Sequence, residues 1–123
     1  MRGLDGGEFY ILDPKTGEEE RISEFNTRLQ DEFDFPEIEE CNFVNSDGIS
    51  IDGWVMKPVN FEKNRKYPAI LFIHGGPGSA YGPVAMHEMF VMCKEGWGVI
   101  FCNPRGSEGK GGDFADIRTK WGT

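Results

Sequence analysis

The sequence predicts an α/β fold in which an antiparallel strand hairpin is followed by a β-α-β-α succession. Two short and strongly apolar runs, at residues 69–73 and 99–102, have the composition of strands in a parallel sheet. Between them, residues 84–95 place apolar side chains at helical spacing. A strand, a helix and a second strand in this order are typical of a parallel crossover unit. We therefore expect both runs to be strands that are buried on both faces of a sheet.

Several shorter elements are predicted upstream of that unit. Residues 8–23 surround an Asp-Pro-Lys-Thr-Gly turn and predict a β-hairpin, which is barely stable alone. Residues 27–30 match a capping box and predict a short helix, which Pro36 ends. Residues 37–44 and 49–56 predict two strands joined by an Asn-Ser-Asp-Gly turn. Because the first hairpin has no packing partner nearby in the sequence, we expect the chain to be part of a larger fold.

The helix between the two apolar runs and the final elements have recognisable boundaries. Pro83 suits a first helical turn, and Gly96 is expected to cap the carboxyl end of that helix. Residues 103–112 predict a glycine-rich loop. Asp113 is then expected to cap a last helix, whose apolar side chains lie within residues 114–121.

Composition and charge exclude several classes of function. The 123 residues are 38% hydrophobic and 28% charged, which is ordinary for a soluble globular domain. The net charge is -8, and residues 1–40 hold 13 acidic but only 4 basic side chains. Nucleic-acid binding needs clustered Lys and Arg, so this balance disfavours a nucleic-acid partner. No apolar run approaches the roughly 18 residues of a membrane span, and the first residues have no apolar core of a signal peptide.

The cysteines predict buried thiols in a reducing compartment. Cys41, Cys93 and Cys102 are odd in number and lie in or beside apolar runs, so a disulfide framework is not expected. No Cys or His spacing matches a zinc site, and we expect neither a metal nor a cofactor. The cytoplasm is the expected compartment.

The first glycine-rich loop carries the strongest functional signal. His74, Gly75, Gly76, Pro77 and Gly78 follow directly after a predicted parallel strand. Ligands bind at this edge of such sheets, and glycines allow a main-chain N–H to point into a cleft. Hydrolases that form a tetrahedral intermediate need such donors for the developing oxyanion, and α/β-hydrolases take one from an HGGG-type loop after the third strand. We therefore predict an oxyanion-hole loop here, whereas a plain strand–helix turn is the alternative.

The second glycine-rich loop, residues 103–112, is not a phosphate-binding loop. A GxxxxGK[ST] pattern would need glycine at Pro104 and a hydroxyl at Gly111. We expect a shaped turn in which Arg105 bridges loops.

No serine of the chain has the surroundings of a hydrolase nucleophile. This fold needs G-x-S-x-G, and neither Ser79 nor Ser107 has glycines two residues before and after it. The triad order in this fold is Ser, Asp or Glu, then His, so His74 and His87 come too early. We expect His74 to fix its loop through hydrogen bonds and His87 to be an ordinary helix residue.

Four stretches, at residues 9–18, 46–58, 67–78 and 103–111, resemble the prolyl oligopeptidase family of serine peptidases, nearest its acylaminoacyl-peptidase branch. In order, they resemble a hairpin of the last β-propeller blade, the opening hairpin of the hydrolase domain, its third strand with the oxyanion loop, and its next strand-end loop. The loop at residues 74–78 is also similar to that of proline iminopeptidases and other α/β-hydrolases.

The resemblance implies a domain organisation and an activity. Residues 1–25 would end a β-propeller domain, residues 26–36 would form a linker helix, and residues 37–123 would be the N-terminal, incomplete part of an α/β-hydrolase catalytic domain. The implied reaction is removal of an acylated or free N-terminal residue or dipeptide from short peptides through a Ser-Asp-His triad.

The resemblance also assigns roles to the loop. The main-chain N–H of Gly76 would be the oxyanion donor, with Gly75 and Pro77 shaping the turn. The second donor and all three triad residues are missing from these 123 residues, so the chain by itself is expected to be inactive.

Two other functions remain open at this point. One is a self-sufficient esterase-like fold with an unrecognised nucleophile such as Ser79, and the other is a non-catalytic binding or assembly module.

We also expect the chain alone to self-associate, because four strands and two helices leave sheet edges and an apolar face uncovered.

Overall fold

The computed structural model describes residues 7–76, 78–84 and 86–118. In chain order the elements are β1 (Tyr10–Leu12), β2 (Glu19–Arg21), α1 (Thr27–Glu32), β3 (Ile38–Glu40), β4 (Phe43–Val44), β5 (Ser50–Met56), β6 (Ala69–Phe72), α2 (His87–Lys94), β7 (Gly98–Asn103) and α3 (Gly112–Ala115).

The main sheet has the order β3-β5-β7-β6, and β4 also pairs with β5. β5 lies antiparallel to β7, whereas β6 lies parallel to it, with Phe72 opposite Phe101. The unit β6-α2-β7 is therefore the predicted parallel β-α-β crossover, set in a mixed sheet. Because β6 and β7 are parallel, the loops that follow them leave the sheet at the same edge.

The core lies between α2 and one face of this sheet. Met89 and Cys93, which lie one helical turn apart, are the fully buried residues of α2. They join a cluster from the strands: Ile38, Trp54, Met56, Val99 and Phe101. The Trp54 and Phe101 rings stack at 5.5 Å between centroids, so β5 and β7 contribute adjacent aromatic faces to the core.

Helix α2 is shorter than the predicted 84–95, because it begins only at His87. Its carboxyl end is a Schellman motif, as the prediction for Gly96 required. Gly96 has φ +89° and donates its N–H to the Cys93 carbonyl, and Trp97 donates to the Met92 carbonyl.

The expectation that residues 69–73 are buried on both faces is wrong. Leu71 is 57% exposed and Ile73 74% exposed, and Ile100, opposite Leu71 on β7, is 41% exposed. Helix α2 covers one face of the sheet, and no other described helix packs on the opposite face with more than weak contact. We call Leu71, Ile73 and Ile100 the open apolar face.

The predicted strand at 37–44 is interrupted at one point. Cys41 donates its N–H to the Gly53 carbonyl, but Gly53 donates to the side-chain Oδ1 of Asn42 instead of a main-chain carbonyl. A Cβ on Gly53 would lie 2.8 Å from the Cys41 carbonyl oxygen. A side chain is therefore excluded where the two backbones approach, and the strand divides into β3 and β4.

Residues 8–23 contain an antiparallel hairpin of β1 and β2, in which Tyr10 faces Arg21. Asp13 Oδ1 accepts the Lys15 N–H at the turn, and Phe9 and Leu12 are exposed. The hairpin's assignment to a propeller blade stays a prediction.

Two predicted helix caps are wrong. The N-cap of α1 is Asn26, without a side-chain cap bond, and Thr27 is the first helical residue, whose hydroxyl accepts a hydrogen bond from Arg21. The N-cap of α3 is Gly111, and Asp113 lies inside its first turn.

The carboxylate of Glu8 organises the connection from β2 to α1. It accepts hydrogen bonds from the Ser23 hydroxyl and from the main-chain N–H groups of Phe25 and Asn26, and Arg21 lies 3.3 Å away. Burial opposes ionisation, but these donors and the guanidinium outweigh it and lower the pKa of Glu8 to about 2.

This network gives the folded state an acid-dependent component. Because the folded-state pKa of Glu8 is about 2 and its ordinary pKa is 4.5, the stabilisation is complete above pH 4.5 and is lost as the pH falls through about 2. We expect the Asn26 amide resonance to titrate with a midpoint near 2 and the Glu8→Gln variant to abolish that titration. Glu24→Gln, which removes an exposed carboxylate nearby, is the control. A midpoint near 4.5 would contradict the network.

The open apolar face is the surface through which we expect the chain to self-associate. Leu71→Lys should shift the sedimentation coefficient of the 123-residue chain towards the monomer. Leu12→Lys is the matched control, since Leu12 is 55% exposed against 57% for Leu71 but lies on the separate hairpin. A wild-type chain that sediments as a monomer would refute the expectation.

Candidate active site

The predicted oxyanion loop leaves the sheet at the end of β6 and runs beside the loop that follows β7. His74, Gly75, Gly76 and Gly78 are described, and Pro77 lies outside the described residues. Gly78 has φ +86°, which only glycine adopts without strain, and a Cβ there would lie 3.2 Å from the Glu108 carboxylate. The glycine at position 78 is therefore required by the backbone geometry, whereas the nearby Glu108 carboxylate is the end of a flexible, exposed side chain.

Gly76, the predicted donor, is exposed, and its main-chain N–H has no hydrogen-bond partner in the described part of the chain. A Cβ at this position would meet no atom within 4 Å. Among the described residues this N–H is therefore unbonded, as binding of an external oxygen would require.

His74 fixes the start of the loop. Its Nδ1 lies 3.0 Å from the Gly75 carbonyl oxygen, and its Nε2 lies 2.8 Å from the Ser107 hydroxyl oxygen. Since a carbonyl can only accept, Nδ1 carries the proton, and in the neutral ring Nε2 accepts from Ser107. The ring also stands edge-on to Tyr81 at 5.0 Å.

The pair of Ser107 and His74 has the residue types of a nucleophile and its base, but it does not act as one. Ser107 is fully buried, so no substrate carbonyl reaches its hydroxyl. Ser79 is partly exposed, but no hydrogen bond joins its hydroxyl to a histidine among the described residues. The structure therefore gives neither serine the role of a nucleophile.

Asn103, at the end of β7, binds the far end of the oxyanion loop. Its Oδ1 accepts the Tyr81 N–H at 2.7 Å, and its Nδ2 donates to the Tyr81 carbonyl at 2.8 Å. The role of Asn103 and Ser107 in holding this loop was not predicted from the sequence. The available signal was a polar residue directly after an apolar strand.

Arg105 ties its own loop to α3 and does not bridge to the first loop. Its Nη2 donates to the carbonyls of Asp113 and Asp116, each at 3.3 Å. Lys110 anchors the other end, since its ammonium lies 2.6 Å from the Asp52 carboxylate and donates to the Ser50 carbonyl. The second loop is thus held on β5 and α3, which makes it a firm support for the first.

The remaining candidate groups do not join the site. Burial raises the pKa of the Cys93 thiol to about 11 and also raises that of Cys102, so neither is an activated nucleophile. His87 opens α2 with an exposed side chain. Within residues 7–118, apart from positions 77 and 85, no His, Cys, Asp and Glu side chains group as metal ligands, and no helix is long and apolar enough to cross a membrane.

Known proteins with similar sequences are peptidases. The chain is 36% identical over 116 residues to the uncharacterized peptidase YuxL of Bacillus subtilis strain 168, covering 94% of this chain and 18% of that protein. It is 41% identical over 75 residues to dipeptidyl-peptidase 5 of Aspergillus fumigatus, covering 58% of this chain and 10% of that protein. No protein-family model matches the chain.

Solved structures that resemble this chain are also peptidases. The acylaminoacyl peptidase of Pyrococcus horikoshii matches with a TM-score of 0.76 and 35% identity, covering 88% of this chain and 17% of that protein. The chain thus spans less than a fifth of the length of each of these relatives. Over most of its length, the chain is therefore similar to a part of these much longer peptidases. They confirm its resemblance to the prolyl oligopeptidase family of serine peptidases, and within that family to the acylaminoacyl peptidases.

The requirement for glycine at position 78 can be tested by substitution. We expect Gly78→Ala to lower the free energy of unfolding by about 1–2 kcal/mol, because a Cβ is strained at positive φ. Gly82→Ala is the matched control, since a Cβ there meets no atom within 4 Å and φ is not positive. Chemical denaturation measures both. Equal effects of the two substitutions would show that the loop geometry is not as described.

Proposed function

We propose that this chain supplies the oxyanion-hole loop of a serine exopeptidase that hydrolyses N-terminal residues from short peptides. The observation that carries the proposal is the exposed Gly76 N–H, which is unbonded among the described residues and lies just beyond the end of β6. Loops at this edge of an α/β sheet are the usual place for ligands.

The chemical role of such a donor follows from the reaction. Attack on a peptide carbonyl puts negative charge on its oxygen, and a positioned N–H stabilises that charge more than it stabilises the ground-state carbonyl. The resemblance assigns the shaping of the turn to Gly75 and Pro77, and His74 binds Ser107 of the neighbouring loop. Loss of one such donor typically costs about 100- to 1000-fold in kcat.

The rest of the active site comes from polypeptide outside these 123 residues. No G-x-S-x-G sequence is present, and the described structure offers no serine in its place. The chain spans 17–18% of the length of YuxL and of the P. horikoshii peptidase, which leaves ample length for the triad and the second donor. By the same reasoning, residues 1–25 end a β-propeller, residues 26–36 link it, and residues 37–123 begin the α/β-hydrolase domain.

The substrate class is inferred from the relatives. The solved relative is named an acylaminoacyl peptidase, and the Aspergillus relative is named a dipeptidyl-peptidase. The N-terminal product released from the peptide is therefore either an N-acylated residue or a free dipeptide. We favour the acylated residue, because among solved structures the acylaminoacyl peptidase matches with a TM-score of 0.76 and 35% identity, against 0.70 and 26% for a putative dipeptidyl aminopeptidase IV from Bacteroides ovatus. The three free cysteines are consistent with a cytoplasmic location.

The proposal is tested with a fluorophosphonate probe and chromogenic substrates. The full-length protein that contains this chain should be labelled at one serine and should release p-nitroaniline from N-acetyl-aminoacyl anilides faster than from dipeptidyl anilides. The 123-residue chain alone should give no adduct. A stoichiometric adduct on the short chain that Ser79→Ala abolishes would instead identify a self-sufficient esterase-like site, and an unlabelled, inactive full-length protein would favour a binding or assembly module.

A further inference from the structure

We propose that Asn103 is a positioning residue for the oxyanion loop, and that Ser107 assists it from the same second loop. This inference rests on the proposed function of Gly76 and adds the groups that hold it in place. Neither side chain would touch the substrate, because Asn103 is 5% exposed and Ser107 is fully buried. They act through the backbone and the imidazole of the first loop.

Asn103 makes an unusual pair of bonds for a single side chain. Its amide accepts from the N–H and donates to the carbonyl of the same residue, Tyr81, at 2.7 and 2.8 Å. The side chain thereby imitates a neighbouring strand and fixes two successive peptide planes at once. Only a primary amide offers an acceptor and a donor at this spacing, since a carboxylate would repel the Tyr81 carbonyl and an apolar side chain would leave both groups unpaired.

Two further contacts complete the connection between the loops. Ser107 binds the His74 ring at 2.8 Å, and the Glu108 N–H donates to the Ser79 carbonyl at 3.1 Å. We call Asn103, Ser107 and Glu108 the loop clamp. It holds the first loop at residues 74, 79 and 81, which lie on both sides of the predicted donor.

The clamp compensates for the freedom of Gly76. In the described part of the chain this N–H has no partner, so no bond of its own fixes its direction. Its direction depends on the neighbouring residues that the clamp holds. An oxyanion donor is effective only when it is oriented before the reaction, because reorientation in the transition state would cost free energy. The clamp therefore sets the transition-state stabilisation without affecting how strongly a substrate binds.

The experiment uses the full-length protein that contains this chain. We expect Asn103→Ala to lower kcat by roughly 10- to 100-fold with KM within about threefold of wild type, because only the transition state is affected. Affinity for a peptidyl trifluoromethyl ketone, which forms a tetrahedral adduct, should fall by a similar factor, whereas affinity for the N-acyl amino acid product should not change. Hydrogen exchange at the Tyr81 amide should accelerate.

Asn45→Ala is the matched control. Asn45 Oδ1 also accepts two main-chain bonds, from Asp47 and Ile49, but it lies in the turn between β4 and β5. It should leave kcat and the ketone affinity unchanged. If Asn103→Ala does not fold, Ser107→Ala tests the same clamp, because loss of one hydroxyl leaves the packing nearly intact. Its expected effect is a roughly 3- to 10-fold loss of kcat at constant KM.

The outcomes separate the two proposals. A folded Asn103→Ala or Ser107→Ala protein with wild-type kcat and ketone affinity overturns the positioning role while leaving the proposed function intact. A loss of kcat no larger than that of Asn45→Ala also overturns it. A wild-type protein without fluorophosphonate labelling or peptidase activity overturns the proposed function itself, and the positioning role with it.

Discussion

The parallel pairing of β6 with β7 aligns the carboxyl ends of two strands that are separated by a helix in the sequence. With Phe72 beside Phe101, both glycine-rich loops start at the same height above the sheet. His74 then meets Ser107, and Asn103 meets Tyr81, across 33 and 22 residues of sequence. A slip of this pairing would separate the loops, so the candidate site depends on the register of two strands that contribute no catalytic group.

That register is itself fixed by burial on one face. Val99 and Phe101 alternate with exposed Ile100 and pack against Met89 and Cys93 of α2. A shift by one residue would turn the buried side chains outward, and fully burying each such residue is worth roughly 1.5–3 kcal/mol. The open apolar face gives no comparable constraint. Helix α2 thus packs its buried side chains into the core. The Schellman turn at Gly96, at its carboxyl end, leads the chain back into β7.

Several local signals in the sequence were informative. The apolar runs, the left-handed glycine at position 96 and the glycine-rich loop could all be predicted from neighbouring residues. The capping box at Thr27 was a local signal that failed: the helix begins one residue earlier than it required, and the Thr27 hydroxyl binds Arg21 of the preceding hairpin. The burial of residues 69–73 was overestimated because an apolar run does not reveal how many layers cover it. Asn103 could not be assigned a partner, since its bonds reach Tyr81 only through the folded sheet.

A main-chain oxyanion donor has to be an N–H that the fold leaves unpaired, although folded proteins pair nearly all buried backbone groups. The two loops combine these opposing requirements in one place. Tyr81, Ser79 and His74 have their polar groups bound by the second loop, whereas Gly76 between them is exposed and unbonded among the described residues. The hydrogen bonds of these three residues keep the loop rigid. The Gly76 N–H therefore keeps its direction without a hydrogen bond of its own. Under the proposed function, the chemistry therefore requires the buried amide and the buried hydroxyl behind the loop as well as the glycine in front of it.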